Sequence, residues 1–93
     1  PANEVFLSAI SIAELMIKSS IGKINIEFDP LEMTKIMQID VLDFSGIHAV
    51  ALGKLPFHHK DPFDRMIIVQ ALVNKVALMS DDSRFLKYNC KII

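Results

Sequence analysis

Apolar positions along this chain fall into short runs, and polar residues that open or close helices stand between them. Val5-Phe6-Leu7-Ser8 is a β-type run. Ser11-Ile12-Ala13-Glu14 then has the form of a capping box, in which the serine caps and the glutamate three residues on reaches back. It predicts a helix over Ile12–Ser20, with Ile12, Leu15 and Met16 at helical spacing and Gly22 as its stop. Asp29-Pro30-Leu31-Glu32 opens a second helix, with Asp as the cap and Pro at the first helical position. Ile39-Asp40-Val41-Leu42 is the next strand. Ser45 caps a short helix carrying Ile47, Val50, Ala51 and Leu52, which ends near Gly53 or Leu55-Pro56. Asp61-Pro62-Phe63-Asp64 repeats the Asp-Pro opening. The helix that follows, Met66–Asn74, is apolar nearly all round and is expected to be the packed centre. Ala77-Leu78-Met79-Ser80 reads as a buried strand, Ser83–Lys87 as a short helix and Lys91-Ile92-Ile93 as a terminal strand. Strands that alternate with helices predict an α/β fold with a parallel sheet.

Ninety-three residues predict one domain, 1–93, with no linker, internal repeat or low-complexity tract. Apolar residues make up 52% of the chain, which argues against disorder and for a packed interior or an adhesive surface. The ten basic and eleven acidic side chains leave a net charge of −1. Such a balance exerts no long-range pull on nucleic acid, so a metal ion or a local patch would have to supply positive field. Cys90 is the single cysteine, which excludes an intrachain disulfide framework and a cysteine-based zinc site. The opening Pro-Ala-Asn-Glu does not read as a signal peptide. The apolar run Met66–Val73 is far shorter than the ~20 residues of a membrane helix. A cytoplasmic protein with no membrane partner is expected.

The chemistry resides in carboxylates. Glu14 follows the first strand, Asp61 and Asp64 head the apolar helix, and Asp81 and Asp82 follow the strand Ala77–Ser80. In open parallel sheets, ligands bind beyond the carboxyl ends of the strands. Acids gathered there repel one another unless a cation joins them, and oxygen donors suit Mg²⁺ or Mn²⁺. Taken singly, each acid has a structural reading as well. Glu14 completes a capping box, Asp61 caps the apolar helix with Asp64 favouring its dipole, and Asp82 caps the helix near Ser83. His58, His59 and Asp61 match no closed tetrahedral zinc set, and the histidines read as a solvated loop or a contact to phosphate. His48 reads as a surface or packed residue. Arg65 reads as a structural fork to a carboxylate. Lys18, Lys23, Lys54 and Lys60 line an RNA path or a solvated surface.

Three segments together resemble the later motifs of PIN-domain ribonucleases, in particular the VapC-type toxins of bacterial toxin–antitoxin pairs. They are Ser-Ala-Ile-Ser-Ile-Ala-Glu-Leu (Ser8–Leu15), Leu-Pro-Phe-His-His-Lys-Asp-Pro-Phe-Asp-Arg (Leu55–Arg65) and Leu-Met-Ser-Asp-Asp-Ser-Arg-Phe (Leu78–Phe85). The resemblance implies a PIN-like three-layer α/β/α fold with a parallel sheet. It implies Glu14, Asp64 and Asp82 as catalytic metal ligands for Mg²⁺ or Mn²⁺, with Asp61, Ser80 and Arg65 in support. The implied activity is cleavage of RNA by a metal-activated water, restrained by a cognate antitoxin. PIN domains open with a strand ending in an aspartate, followed by a helix, and this sequence starts at what would be the second strand. It is therefore expected to be N-terminally truncated, with a weakened metal site and doubtful activity as this chain. Exposed strand edges then favour a homodimer or higher oligomer. The alternative is a non-catalytic PIN-fold remnant that binds an antitoxin or its own copy. A Mg²⁺-using phosphatase-like domain, suggested by Asp81-Asp82, lacks a phosphate-cradling glycine loop.

Overall fold

The structure, a computed structural model, describes residues 5–58 and 60–77. These form six elements: β1 (Phe6–Ser8), α1 (Ala9–Ser20), α2 (Pro30–Ile36), β2 (Asp40–Leu42), α3 (Gly46–Leu52) and α4 (Pro62–Asn74). The expected elements beyond Ala77 lie outside the described residues. The chain divides into two compact units, Pro1–Asp43 and Phe44–Ile93.

In the first unit β1 and β2 pair in parallel, with Phe6 opposite Asp40, Leu7 opposite Val41 and Ser8 opposite Leu42. Parallel strands need a long crossover, and α1 and α2 supply it. No loop separates β1 from α1. The Ser8 hydroxyl accepts the Ile10 N–H at 3.0 Å, so the last strand residue is also the helix cap. This corrects the expected start: the helix begins three residues before Ile12, with Ser8 rather than Ser11 as its cap. Gly22 does close α1. It takes φ +80°, and the Lys23 N–H bonds back to the Lys18 carbonyl at 3.0 Å. α2 begins as expected, with the Asp29 carboxylate accepting from the Leu31 N–H at 2.9 Å and Pro30 at its first position.

In the second unit α3 packs on α4. α4 holds the unit's core: Ile68, Val69, Gln70 and Ala71 are consecutive and all buried, which no one-sided helix can achieve. The all-round apolar pattern of this segment thus translates directly into burial. A buried imidazole ties the two helices together. His48 Nδ1 accepts the Ser45 N–H at 2.9 Å and lies 3.0 Å from the Ser45 hydroxyl. With Nδ1 accepting, Nε2 carries the proton and donates it to Asn74 Oδ1 at 2.6 Å. His48 is therefore a packed, fully used residue that joins the start of α3 to the end of α4.

The fold is α/β with a short parallel sheet, as the sequence predicts. No helix among the described residues is long and apolar enough to cross a membrane.

Candidate active site

Glu14 stands in the second turn of α1, because the helix starts at Ala9. Six positions past the cap, it is too far along to close a capping box, which needs the third position. The capping reading of Glu14 falls with the corrected helix start. Its carboxylate instead meets Lys18 Nζ at 3.4 Å, one turn further on, and the side chain keeps 29% of its surface exposed. An exposed i,i+4 pair of this kind contributes about 0.3–0.5 kcal/mol. So weak a tie leaves the carboxylate available to a stronger cation.

Asp61 and Asp64 sit at the head of α4 in different roles. Asp61 Oδ1 accepts the Phe63 N–H at 2.9 Å and the Asp64 N–H at 3.3 Å. The Asp61 carbonyl takes the first helical bond, from the Arg65 N–H at 3.0 Å. Asp61 is thus the cap, and one of its bonds fixes the backbone of Asp64 itself. Asp64 occupies the third helical position, partly buried. Both acids lie where the helix dipole favours negative charge.

Arg65 extends this anchoring to the preceding loop. Its guanidinium donates to the Pro56 carbonyl at 3.1 Å and to the Leu55 carbonyl at 3.3 Å, and lies 4.6 Å over the Phe57 ring. The fork, expected from the sequence to meet a carboxylate, reaches two backbone carbonyls of the preceding loop. A guanidinium presents parallel donors to any oxygens in reach, and backbone carbonyls are among them. Cap and fork together fix the head of α4 and the 55–56 segment of the loop before it.

Asp81, Asp82, Ser80 and His59 lie outside the described residues. Within the described residues of either unit, no three of His, Cys, Asp and Glu come together as a metal site. The spacing-based reading passed over Asp43. It directly follows Leu42, which pairs with Ser8, so this acid stands at the carboxyl end of the sheet where α1 begins. A strand pattern followed at once by an acid was the available signal. A cavity of about 210 Å³ in the second unit is lined by apolar groups and Lys54. It has no carboxylate and is a packing groove rather than a seat of chemistry.

Glu14 in the first unit and Asp64 in the second each offer a carboxylate, the donor type that Mg²⁺ and Mn²⁺ prefer.

No curated protein matches the chain. A family profile described as the PIN domain matches residues 2–90. The chain therefore belongs to the PIN-domain family, whose members are in general metal-dependent nucleases that typically use divalent ions.

Proposed function

We propose that this chain is a VapC-type endoribonuclease domain that uses Mg²⁺ or Mn²⁺ to cleave RNA phosphodiesters. Glu14, Asp64 and Asp82 would hold the metal, with Asp61, Ser80 and Arg65 in support. The observation that carries the reading is the head of α4. There an acid of the expected set, Asp64, has its backbone fixed by the Asp61 cap and its flanking loop fixed by the Arg65 fork. PIN membership supplies the reaction class, and this rigid placement is what a ligand carboxylate needs.

The bound ion would lower the pKa of a water and neutralise charge on the phosphoryl oxygens. The residues contribute the rest. Glu14 would hold the ion in place of its weak Lys18 pair, which would leave the Lys18 ammonium to the substrate's phosphates. Asp61 stays on the helix amides and keeps Asp64 from drifting. Arg65 keeps the 55–57 loop against α4. Supporting groups of this type typically change metal affinity or activity by about 10–100-fold when removed.

The partners follow from this reading: an RNA substrate in the cytoplasm, a cognate antitoxin and a second copy of the chain. One observation favours a second reading, the non-catalytic module that binds an antitoxin or itself. In the first unit Met16, Ile17, Ile21, Leu31, Ile36 and Met37 are all exposed, a large apolar display for a small structure. Calorimetric titration with Mn²⁺ separates the two, because a pure binding module takes up no metal at millimolar concentration. The decisive assay is Mn²⁺-dependent cleavage of a mixed RNA pool by the chain and by Asp64→Asn. Cleavage by the parent and loss of at least about 100-fold in the variant is expected, as for removal of a metal ligand. Equal rates would remove the assignment.

A further inference from the structure

The loop that Arg65 braces has a feature that metal ligation does not use. Phe57 is 69% exposed. A single exposed aromatic ring is ordinary, but this one is held in place. The Arg65 guanidinium covers one face at 4.6 Å and bonds the carbonyls of the two residues before it. The ring is fixed while most of its surface faces solvent. Its sequence surroundings are basic: Lys54 and Lys60 bracket it, and from one to the other there is no acid. Lys54 and Lys60 are exposed. On a chain of net charge −1 this is a local basic patch. It is also adjacent to the candidate site. Phe57 is four residues from Asp61, a span of at most about 14 Å, and its cationic partner is the residue next to Asp64.

A rigid aromatic face beside cations suits an unpaired nucleobase, which stacks on the ring while the flanking phosphates meet the positive charges. A duplex hides its base faces and cannot use such a surface. We propose that Phe57, backed by Arg65, is a stacking platform for one base of single-stranded RNA, holding the strand beside Asp64. The platform rests on the ribonuclease reading for the identity of its ligand, and deepens that reading by naming a side chain that positions the strand. Stacking tolerates any base, so the platform positions RNA without selecting its sequence.

The chain contains no tryptophan, so Phe57→Trp introduces a single reporter at the platform. The variant of this chain is titrated in EDTA with a short mixed-sequence oligoribonucleotide, single-stranded or annealed to its complement. Quenching by the single strand and none by the duplex is the expected result. In parallel, binding of the labelled single strand is compared between the parent chain and Phe57→Leu, which keeps apolar bulk but loses the π face. The leucine variant is expected to bind about tenfold more weakly, within the range for one base stacked on an aromatic ring. Equal affinity, equal quenching by the duplex, or no RNA binding by the parent chain would each overturn the platform. The two readings fail separately. Mn²⁺-dependent cleavage with no effect at Phe57 leaves the nuclease standing and removes the platform. Quenching with no cleavage under any metal does the reverse.

Discussion

α2 and α4 open and close in the same way, yet only one of them becomes a core. Each starts with Asp-Pro, and in each the aspartate accepts the N–H two residues on at 2.9 Å. Each has an acid at the third helical position, Glu32 in one and Asp64 in the other. Each ends with a non-glycine residue in the left-handed region, Gln38 at φ 57° and Lys75 at φ 56°. The same closing bond follows, from Ile39 N–H to Thr34 carbonyl at 2.9 Å and from Val76 N–H to Ala71 carbonyl at 3.1 Å. Between those ends they diverge. α2 spans seven residues with Leu31, Met33 and Ile36 exposed, whereas α4 spans thirteen and buries a full turn. Local capping chemistry sets where a helix starts and stops. Length and the number of apolar faces between the caps decide whether it becomes a scaffold. The acid at the third position inherits that outcome: Glu32 pairs with Lys35 on an exposed surface, while Asp64 stands on the most deeply packed element described.

The comparison is broken most directly in the middle of the two helices. Ile68 has no exposed surface, and Ile68→Ala is expected to cost about 2–5 kcal/mol, the transfer loss plus the cavity left behind. Ile36 is 71% exposed, and Ile36→Ala should stay within about 0.5 kcal/mol. Urea unfolding of both variants checks this. Equal losses would mean that α2 is buried against a partner in solution, as the binding-module reading requires.

What the sequence revealed follows the same division between local and distant interactions. Asp29, Ser45 and Asp61 were legible as helix openings because a cap and its amides lie within three residues of each other. The α4 core was legible because an apolar run with no polar face has nowhere to go but inside. Ser8 was missed because the strand runs into the helix without a turn, so the usual polar break was absent and Ser11 looked like the better cap. That one slip also hid the release of Glu14 from capping. The use of His48 was illegible, since its partner Asn74 lies 26 residues away. The carbonyl partners of Arg65 were illegible too, because backbone oxygens leave no mark in a sequence. Of the candidate site, the acids were named by the resemblance and the Asp61 cap by its Asp-Pro opening, but the bond by which that cap also holds the Asp64 amide needed coordinates.

The caps are the next place to separate the helices. Asp61→Ala leaves two amide donors of the longer helix without their acceptor and should cost about 1–2 kcal/mol, while Asp29→Ala leaves one and should cost about 0.5–1 kcal/mol. Asp61→Asn keeps an accepting oxygen and should restore most of the stability. If Asp61→Ala reduces metal-dependent cleavage by more than its loss of folded protein explains, the cap is also positioning Asp64. A loss that tracks folding alone would reduce Asp61 to a stabilising residue.

The smallest effects lie at the shared helix ends, where they test whether the two closures are alike in energy as well as shape. Lys75 and Gln38 hold left-handed backbone that glycine adopts without steric penalty. Lys75→Gly and Gln38→Gly relieve that strain, but each also gives the unfolded chain more freedom, so the net gain is expected to be about 0.5 kcal/mol or less. Equal shifts in urea midpoint for the two variants would mean that closure is a property of the local motif. A gain at Gln38 alone would mean that the end of α4 carries a further constraint. The structure contains one: Asn74, the residue before Lys75, is held by His48 at 2.6 Å. Freeing the backbone beside that bond sacrifices some of its alignment, and the loss would offset the relief of strain. Repeating Lys75→Gly in a His48→Leu background isolates this term, because without the imidazole both glycine substitutions should give the same small gain.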